Sequence, residues 1–216
     1  MAGNYTVRQG DHLSKIAKAF GILDYRKIWN DPNNADLKQQ RQNPNVLLPG
    51  DSLFIPDLKT GTESVSTDQK HTFVVKKPDL KLRLILEDQY AEPLANASCV
   101  LALGYDSRDV QTDGNGSIEQ DLQPDVHDAS LTVQDARTPL NNTQIAIKIG
   151  DLDPVDEISG QIARLNNLGY LAGDVNQPDQ TAFESAVEEF QCDQSLTVDG
   201  DCGPNTQAKL KQVHGC

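Results

Sequence analysis

The sequence contains few aromatic residues and no long apolar run. Aromatic side chains make up 5% of its 216 residues and include one Trp. Met also occurs once. Deep carbohydrate-cleaving clefts favour aromatic platforms, so this composition weighs mildly against a glycosidase. A membrane-spanning helix needs about 18 or more consecutive apolar residues, and no such run occurs. The length suits one large domain or two to three small ones.

Basic side chains are scarce near one end of the chain. The net charge is −13, and residues 149–216 hold three basic and twelve acidic side chains, whereas residues 1–58 hold seven and six. An acidic field repels phosphate backbones and anionic lipid headgroups. The sequence therefore predicts neither a nucleic-acid partner nor a membrane partner.

Recognisable catalytic machinery is also missing. The sequence has no His-Glu-x-x-His zinc motif, and its four histidines fall in different predicted elements. Glu188 and Glu189 are adjacent on a predicted helix and face different directions, so they do not form an acid and base pair across a glycosidic bond. The run His214, Gly215, Cys216 resembles the nucleophile segment of L,D-transpeptidases but has no β-fold around it, which favours chance. We predict no enzyme, no cofactor and no metal site.

The first fifty-odd residues predict a β-α-α-β unit. A strand at residues 5–7 is broken by Gly10 and Asp11, with Asp11 as the predicted N-cap. The helix that follows has Leu13, Ile16, Ala17 and Phe20 at helical spacing, and Gly21 ends it. A second helix is predicted from about 24 to 30 with Ile28 and Trp29 inward, then a polar stretch to 42. A Pro-Gly turn at 49–50 leads into a strand at 52–55.

Two segments of this unit, YTVRQGDHLSKIAKAFG at 5–21 and NPNVLLPGDSLFIP at 43–56, resemble the LysM family over residues 4–57. The resemblance implies binding of polymers of N-acetylglucosamine in a shallow groove, through backbone amides and carbonyls. Its lining would be Gly10, Asp11, His12 and Leu13 on one side and Asn45, Val46, Leu47 and Leu48 on the other. The sequence departs from the family at His12, where Thr or Ser is usual, and in a longer polar insertion at 29–42.

The middle of the chain predicts a linker and a β-rich domain. Residues 58–70 are polar and mark the linker. Residues 71–150 hold the short runs FVVKK, LKLRLIL, SCVLALGY, GSIEQDL, SLTVQ and QIAIKI, which predict an antiparallel β-sandwich. EDQYAEPLANASCVL and TDGNGSIEQ resemble the transthyretin-like, or carboxypeptidase-regulatory, type of sandwich. The spaced oxygens from Asp113 to Glu119 suggest a calcium loop, but a hairpin turn explains them better.

From residue 152 to 216 the pattern predicts a bundle of three short helices. Ile158, Ile162, Leu165 and Leu168 share one face, residues 182–190 form a second helix after Asp179, and a third follows Gly203 and Pro204. RLNNLGY, AVEEFQ, LTVDG and GPNTQAKL strongly resemble the peptidoglycan-binding domain found beside wall amidases and zinc carboxypeptidases. The resemblance makes Tyr170, Gln191 and Asp199 candidate ligand-facing residues, although structural roles are the more frequent explanation for each.

Four cysteines occur, and three of them, Cys192, Cys202 and Cys216, lie in the last twenty-five residues. This cluster predicts one disulfide and one free thiol in an oxidising compartment, with Cys192 paired to either Cys202 or Cys216. Cys99 lies in an apolar run and predicts a buried small side chain.

The sequence also carries an expectation about export. MAGNYTVRQGDHL enters the first strand without a basic and apolar leader, so we expect delivery to the bacterial envelope or outside by a route that needs no signal peptide, or residence in the cytoplasm before delivery. The arrangement resembles accessory proteins of type VI secretion.

Three functions follow, in decreasing order of preference. The first is a non-catalytic peptidoglycan-binding protein with two wall-directed modules, carried by a secretion-spike or effector protein. The second is an adaptor or structural component of a type VI-like apparatus that uses these domains for protein docking. The third is a cell-wall hydrolase accessory.

Overall fold

The protein is described by a computed structural model that covers residues 2–57, 64–72 and 80–216. It has two compact units. The first comprises the chain up to Asn4, Leu13–Pro32 and Phe54–Gly150, and the second comprises Tyr5–His12, Asn33–Leu53 and Asp151–Cys216. Helices and antiparallel sheets both occur, so the predicted multi-domain α+β fold class is confirmed.

The elements follow one another along the chain in this order: β1 (Gly3–Thr6), α1 (Leu13–Ala19), α2 (Arg26–Trp29), a 3-10 turn (Pro32–Asn34), α3 (Ala35–Arg41), β2 (Ser52–Ile55), β3 (Lys81–Ile85), β4 (Ser98–Leu103), β5 (Asp106–Gln111), β6 (Ser117–Asp121), β7 (Asp128–Val133), β8 (Gln144–Lys148), α4 (Ile158–Asn167), α5 (Gln180–Asp193) and α6 (Pro204–His214).

The N-terminal elements largely match the prediction. β1 and β2 form a two-stranded sheet, and β2 has the predicted bounds. Gly21 has a φ of 69°, the left-handed conformation expected after the first helix. Ile28 and Trp29 are buried, as predicted. Phe20 was wrongly assigned to the buried face: it lies beyond the end of α1 and is 41% exposed.

The polar insertion contains a helix that the sequence interpretation missed. α3 occupies Ala35–Arg41, where the prediction had an irregular polar stretch. Its residues are mostly good helix formers, Asp36 lies in its first turn, and Arg41 lies in its last, which suits the helix dipole. Only Leu37 is buried, so the apolar periodicity that identifies helices is too weak to see here.

The β-rich region consists of two sheets that share one hydrophobic core. β3 pairs with β6, and a four-stranded sheet has the order β5-β4-β7-β8, all antiparallel. Leu86, Ile118, Leu101 and Leu131 are among the buried side chains of the shared core. This is the predicted sandwich. The predicted strand FVVKK falls within residues 73–79 and lies outside the described residues.

One strand of the sandwich was not predicted. β5 has the sequence DSRDVQ, whose side chains are exposed or half-buried, and it occupies the edge of its sheet. An edge strand with solvent on several side chains lacks the apolar alternation on which the prediction relied. A tight turn is present at residues 113–116, since Asp113 Oδ1 accepts hydrogen bonds from the amides of Asn115 at 2.8 Å and Ser117 at 2.9 Å. The prediction of a hairpin was wrong, because the turn joins β5 to β6 and these strands pair in different sheets.

The three C-terminal helices pack around one buried cluster. Ile162, Leu165, Phe190 and Leu210 are each at most 1% exposed. The predicted cap of α5 is confirmed, because Asp179 Oδ1 accepts from the Ala182 amide at 2.8 Å. The other predicted bounds also hold: Gly169 follows α4 with a φ of 92°, and Pro204 begins α6. Ile158 was placed on the buried face but is 43% exposed at the start of α4.

The four cysteines are free, so the disulfide predicted among Cys192, Cys202 and Cys216 is not supported. Cys192 is exposed, Cys202 is buried and Cys216 is half-buried. Cys202 therefore packs as a small apolar side chain in the helical core, where spacing along the sequence had suggested a bridge. Cys99 is 2% exposed in the sandwich core, as predicted.

Candidate functional site

Most side chains predicted to line the N-terminal groove are buried. Gly10, Asp11 and His12 precede α1, Leu13 begins it, and the second predicted wall lies between α3 and β2. Within that second wall, Val46 is 6% and Leu47 3% exposed, Leu48 is half-buried and Asn45 is exposed. Contacts with a ligand here would therefore involve main-chain groups, the side-chain amide of Asn45 and the edge of the Leu48 side chain.

Main-chain hydrogen bonds tie the two loops together near their ends. The Val7 amide donates to the Asp51 carbonyl, and the Gly50 amide donates to the Val7 carbonyl, both at 2.9 Å. Val7 lies three residues before Gly10, and Gly50 lies two residues after Leu48. The segments that lead into and out of the two predicted walls are therefore neighbours in space.

Several amides of the predicted groove already have partners within the protein. The Asp11 amide donates to the Arg8 carbonyl at 3.0 Å, and the Val46 amide donates to the Asn43 carbonyl at 3.2 Å. The Asn45 amide donates to Asn43 Oδ1 at 2.9 Å. These bonds shape the loops but remove donors from the set that the sequence offered for sugar N-acetyl groups.

The carboxylate of Asp11 fixes the first loop. It accepts from the Tyr5 hydroxyl at 2.7 Å and from the Arg8 amide at 3.0 Å. Burial, and then the hydrogen bond to Asp11, raise the pKa of Tyr5. Both donors precede Asp11 in the chain, and His12 directly precedes the first residue of α1. His12 itself is 3% exposed, so its side chain is part of the interior.

A buried ion pair fixes the second loop. Arg41 Nε and Nη2 each lie 2.9 Å from a different oxygen of Asp51, and the two side chains are 4% and 8% exposed. The same Asp51 carboxylate accepts from the Leu48 amide at 2.9 Å. The pKa of Arg41 is raised, first because of its hydrogen bonds to Asp51. The sequence interpretation missed both residues, since a charged pair ten positions apart has no periodic signature.

In the C-terminal module, Gln191 is a structural hub. It is 1% exposed, and its Nε2 donates to Asp199 Oδ1 at 2.8 Å, the Asp201 carbonyl at 3.0 Å and Thr206 Oγ1 at 3.1 Å. Its Oε1 accepts from the amides of Asp199 at 2.9 Å and Gly200 at 3.0 Å. One side chain thus closes the loop between α5 and α6, and the structure places it inside the module.

Tyr170 and Asp199 are also held by neighbours. The Tyr170 hydroxyl donates to Asp193 Oδ2 at 3.0 Å, and its ring meets Phe190 edge-on with centroids 5.5 Å apart. Burial, and then the bond to Asp193, raise the pKa of Tyr170 to about 12. Asp199 is exposed, and its bond from Gln191 is the first cause of its lowered pKa. Of the three predicted residues, Asp199 is the one that presents a charged group to solvent.

The loop after α5 and the first turns of α6 border a depression of about 780 Å³. Its lining includes Leu196, Thr197, Asp199, Asp201, Asn205 and Lys209. This wall combines an apolar side chain with hydroxyl, amide, carboxylate and ammonium groups, a mixture suited to a polar ligand with amide and hydroxyl groups. Gln191 supports it from behind through Asp199.

His214 and Cys216 lie together, with His214 Nδ1 3.1 Å from Cys216 Sγ. Burial raises the pKa of the Cys216 thiol and, with the charge of Arg164, lowers the pKa of His214 to about 4. The neutral thiol and neutral imidazole are therefore favoured, whereas a nucleophilic cysteine needs the thiolate.

In residues 2–57, 64–72 and 80–216, no three His, Cys, Asp or Glu side chains cluster as metal ligands would. No helix in the same ranges combines the length and apolarity of a bilayer span.

Two family models match parts of the chain. The model described as LysM domain matches residues 5–30, and the model described as putative peptidoglycan binding domain matches residues 163–210. Both predicted modules are thereby confirmed. The first match ends before α3, so the second predicted groove wall lies beyond it, whereas Tyr170, Gln191 and Asp199 lie within the second match. No curated protein and no solved structure matches the chain.

Proposed function

We propose that this protein binds peptidoglycan through both modules and does not cleave it. The observation that carries the proposal is the presence, in one chain, of segments similar to two different families of wall-binding domain, at 5–30 and 163–210. The description of the second family names peptidoglycan binding. A bacterial cell-wall location follows from the same similarity.

In the N-terminal module we assign sugar binding to the surface around Asn45 and Leu48, next to the loop of residues 10–13. This assignment is supported by the bonds of Val7 to Gly50 and Asp51, which hold the two loops side by side. It is also supported by the exposed side-chain amide of Asn45, which suits the N-acetyl group of the sugar.

In the C-terminal module we assign the wall contact to the depression between α5 and α6. Asp199 and Thr197 are exposed on its wall, and Gln191 fixes the loop that carries them. Two weak sites on one polymer raise the apparent affinity through effective concentration, by about a hundredfold when both engage. The two modules would then act as one bivalent grip.

The direct test is co-sedimentation of the full chain with purified sacculi at micromolar concentration. Asn45→Tyr and Thr197→Tyr each place a bulky ring on one proposed surface, and we expect each to weaken binding and the double variant to abolish it. Ser107→Tyr, at an exposed position of β5, is the matched control and should sediment like the parent. A parent protein that stays in the supernatant would show that wall binding is the wrong idea.

The finer hypothesis is carriage by a contractile secretion apparatus, and it rests first on the domain arrangement. It is supported by two exposed tyrosines of the sandwich, Tyr90 and Tyr105, which are 76% and 111% exposed and suited to protein contacts. If the protein is an adaptor or structural component of a type VI-like apparatus, a spike or effector protein should co-purify with it and be lost on Tyr90→Ser with Tyr105→Ser. Release of muropeptides by the pure protein would instead revive the role of a hydrolase accessory.

A further inference from the structure

A further cavity of the second unit lies between α3 and α6. It has a volume of about 700 Å³, which is within the range of small-molecule sites. Both helices contribute to its lining: Gln40 and Arg41 belong to α3, and Ala208, Lys211 and Gln212 belong to α6. The cavity therefore has walls from both ends of the chain.

On one side, the cavity meets the loop that carries the proposed sugar-binding surface. Asn43 and Val46 line it, and these two residues flank Asn45 in the chain. Asn43 Oδ1 accepts from the Asn45 amide at 2.9 Å, and the Asn43 carbonyl accepts from the Val46 amide at 3.2 Å. The cavity wall and the exposed side chain of Asn45 thus belong to one hydrogen-bonded turn, so the cavity lies next to the proposed sugar surface.

On the other side, the cavity meets the depression between α5 and α6. Ala208 and Gln212 line both spaces. They are four positions apart on α6, so their side chains are neighbours on one face of the helix. Both residues are exposed, and the side chain of Ala208 ends at its Cβ. The ridge between the two spaces is therefore low at Ala208 and polar at Gln212.

The guanidinium groups of the cavity already have partners within the protein. Arg41 Nε and Nη2 donate to Asp51, and its Nη1 lies 3.7 Å from Asp156 Oδ2. Arg164 Nε donates to the main-chain oxygen of Cys216 at 2.9 Å, and its Nη1 donates to two further main-chain carbonyls at 2.8 Å. A neutral polar ligand therefore suits this cavity better than an ion does.

The rest of the lining suits an N-acetylated sugar. Gln40, Gln42 and Gln212 supply side-chain amides, which can both donate to and accept from an N-acetyl group or a hydroxyl. Val155 and Ala208 supply apolar surface for the acetyl methyl and the ring carbons. This combination of amide and apolar groups matches the uncharged sugar that we assign to the N-terminal module.

We propose that the cavity is a connecting subsite, through which one uncharged glycan strand runs from Asn45, across the exposed face of α6, to Thr197. The inference rests on the proposed function and deepens it, because both modules then bind the same strand of the wall and not two different strands. The three surfaces belong to one compact unit. The second contact therefore needs no flexible tether, which favours simultaneous binding.

The test is isothermal titration of the full chain with oligomers of N-acetylglucosamine, from the dimer to the octamer. We expect two dimers but only one octamer to bind per chain, and we expect the affinity to rise about tenfold once an oligomer spans the ridge. Ala208→Trp places a ring on the ridge, so it should weaken the octamer about tenfold and leave the dimer unchanged. Ser185→Trp, at an exposed position of α5 outside both described linings, is the matched control and should bind like the parent.

Gln212→Ala is a second variant on the same ridge, and it removes an exposed side chain without adding bulk. It should weaken the octamer about three- to fivefold, because hydrogen bonds to the strand are lost. If Ala208→Trp fails to fold, as judged by far-UV circular dichroism, this variant decides the outcome.

Four results would overturn the proposal: no octamer binding, two octamers per chain, an octamer affinity no higher than that of the dimer, or octamer affinities that neither ridge variant lowers. Co-sedimentation with sacculi separates this failure from failure of the proposed function. A chain that sediments with sacculi but gives one of these results still binds the wall, but not through a single continuous strand. A chain that stays in the supernatant contradicts both proposals.

Discussion

Gln191 binds Asp199 twice, donating from Nε2 to the carboxylate at 2.8 Å and accepting the Asp199 amide at Oε1 at 2.9 Å. Both residues were candidates for ligand contact in the sequence, and the structure pairs them with each other. Asp199 exposes its carboxylate to solvent, and the buried Gln191 fixes the loop that contains Asp199. The structure therefore gives Gln191 a structural role in fixing this loop.

Replacing Gln191 by Leu should destabilise the C-terminal module by about 2–4 kcal/mol, because several buried polar partners lose their hydrogen bonds together. Urea unfolding followed by far-UV circular dichroism measures the loss. Gln180→Leu on the same helix removes one exposed bond to Glu184 and should cost less than about 0.5 kcal/mol. Equal stabilities for the two variants would show that Gln191 is not a hub.

The contrast between Gln191 and Arg164 shows where sequence inference stops. Apolar periodicity predicted the helices and identified Leu165 and Phe190 as core residues, because burial of one face leaves a regular pattern. A buried polar residue interrupts that pattern and is easily interpreted as surface or as ligand contact. Its partners come from distant loops: Arg164 reaches the main chain of residues 153 and 216, which no local rule connects.

Helix α3 and strand β5 show the same limit for secondary structure. α3 buries only Leu37, and β5 lies at a sheet edge with polar side chains. Both elements depend on main-chain hydrogen bonds and on neighbours for their stability, so hydrophobic spacing does not detect them. The missed helix also affects the predicted N-terminal groove. Arg41, which pairs with Asp51 and so fixes the second loop of that groove, is the last residue of α3.

Gly160 should resist substitution by Ala, although Ala ordinarily stabilises a helix interior by about 0.5–1 kcal/mol relative to Gly. A Cβ at Gly160 would lie 2.0 Å from the Pro154 carbonyl oxygen and 2.5 Å from that of Asp153. The same segment accepts from Arg164, so displacing it also disturbs the buried guanidinium. We expect a loss of about 2–4 kcal/mol in urea unfolding.

Gly114→Ala is the matched control for this substitution, because a Cβ there meets nothing within 4 Å. Its stability should stay within about 0.5 kcal/mol of the parent. A stable Gly160→Ala protein would mean that residues 153–154 are not packed on α4 as described.

Asp51→Ala should both destabilise the protein and weaken sugar binding. The change leaves the buried Arg41 without its bidentate partner and frees the Leu48 amide, so we expect a cost of about 3–5 kcal/mol. Thermal unfolding measures the stability, and titration with chitooligosaccharide below the unfolding temperature measures binding. Asp57→Ala, at an exposed carboxylate beyond β2, is the control. Unchanged sugar affinity in folded Asp51→Ala would place the binding surface elsewhere.

The thiols should differ strongly in reactivity. Cys192 is exposed, whereas burial raises the pKa of Cys202 to about 11 and also raises that of Cys99. In the native protein we expect one fast reaction with Ellman's reagent, and Cys192→Ser should remove it. Intact mass without reductant should show four free thiols. A mass lower by two hydrogens would restore the disulfide that the sequence suggested.

Acid should weaken the fold through His214. Burial first, and the Arg164 charge second, lower its pKa from 6.5 to about 4, so the unfolded chain binds a proton that the folded chain does not between these values. The contribution of His214 to the free energy of unfolding is fully present above pH 6.5 and is lost as the pH falls towards 4. Because the imidazole is only partly buried, we expect about 1 kcal/mol from it across this window.

His214→Gln should therefore lose less stability between pH 7 and pH 5 than the parent, whereas His71→Gln, at an exposed position, should follow the parent curve. Thermal unfolding at a series of pH values distinguishes the two, and coincident curves for all three proteins would contradict the neutral state of His214 beside Cys216.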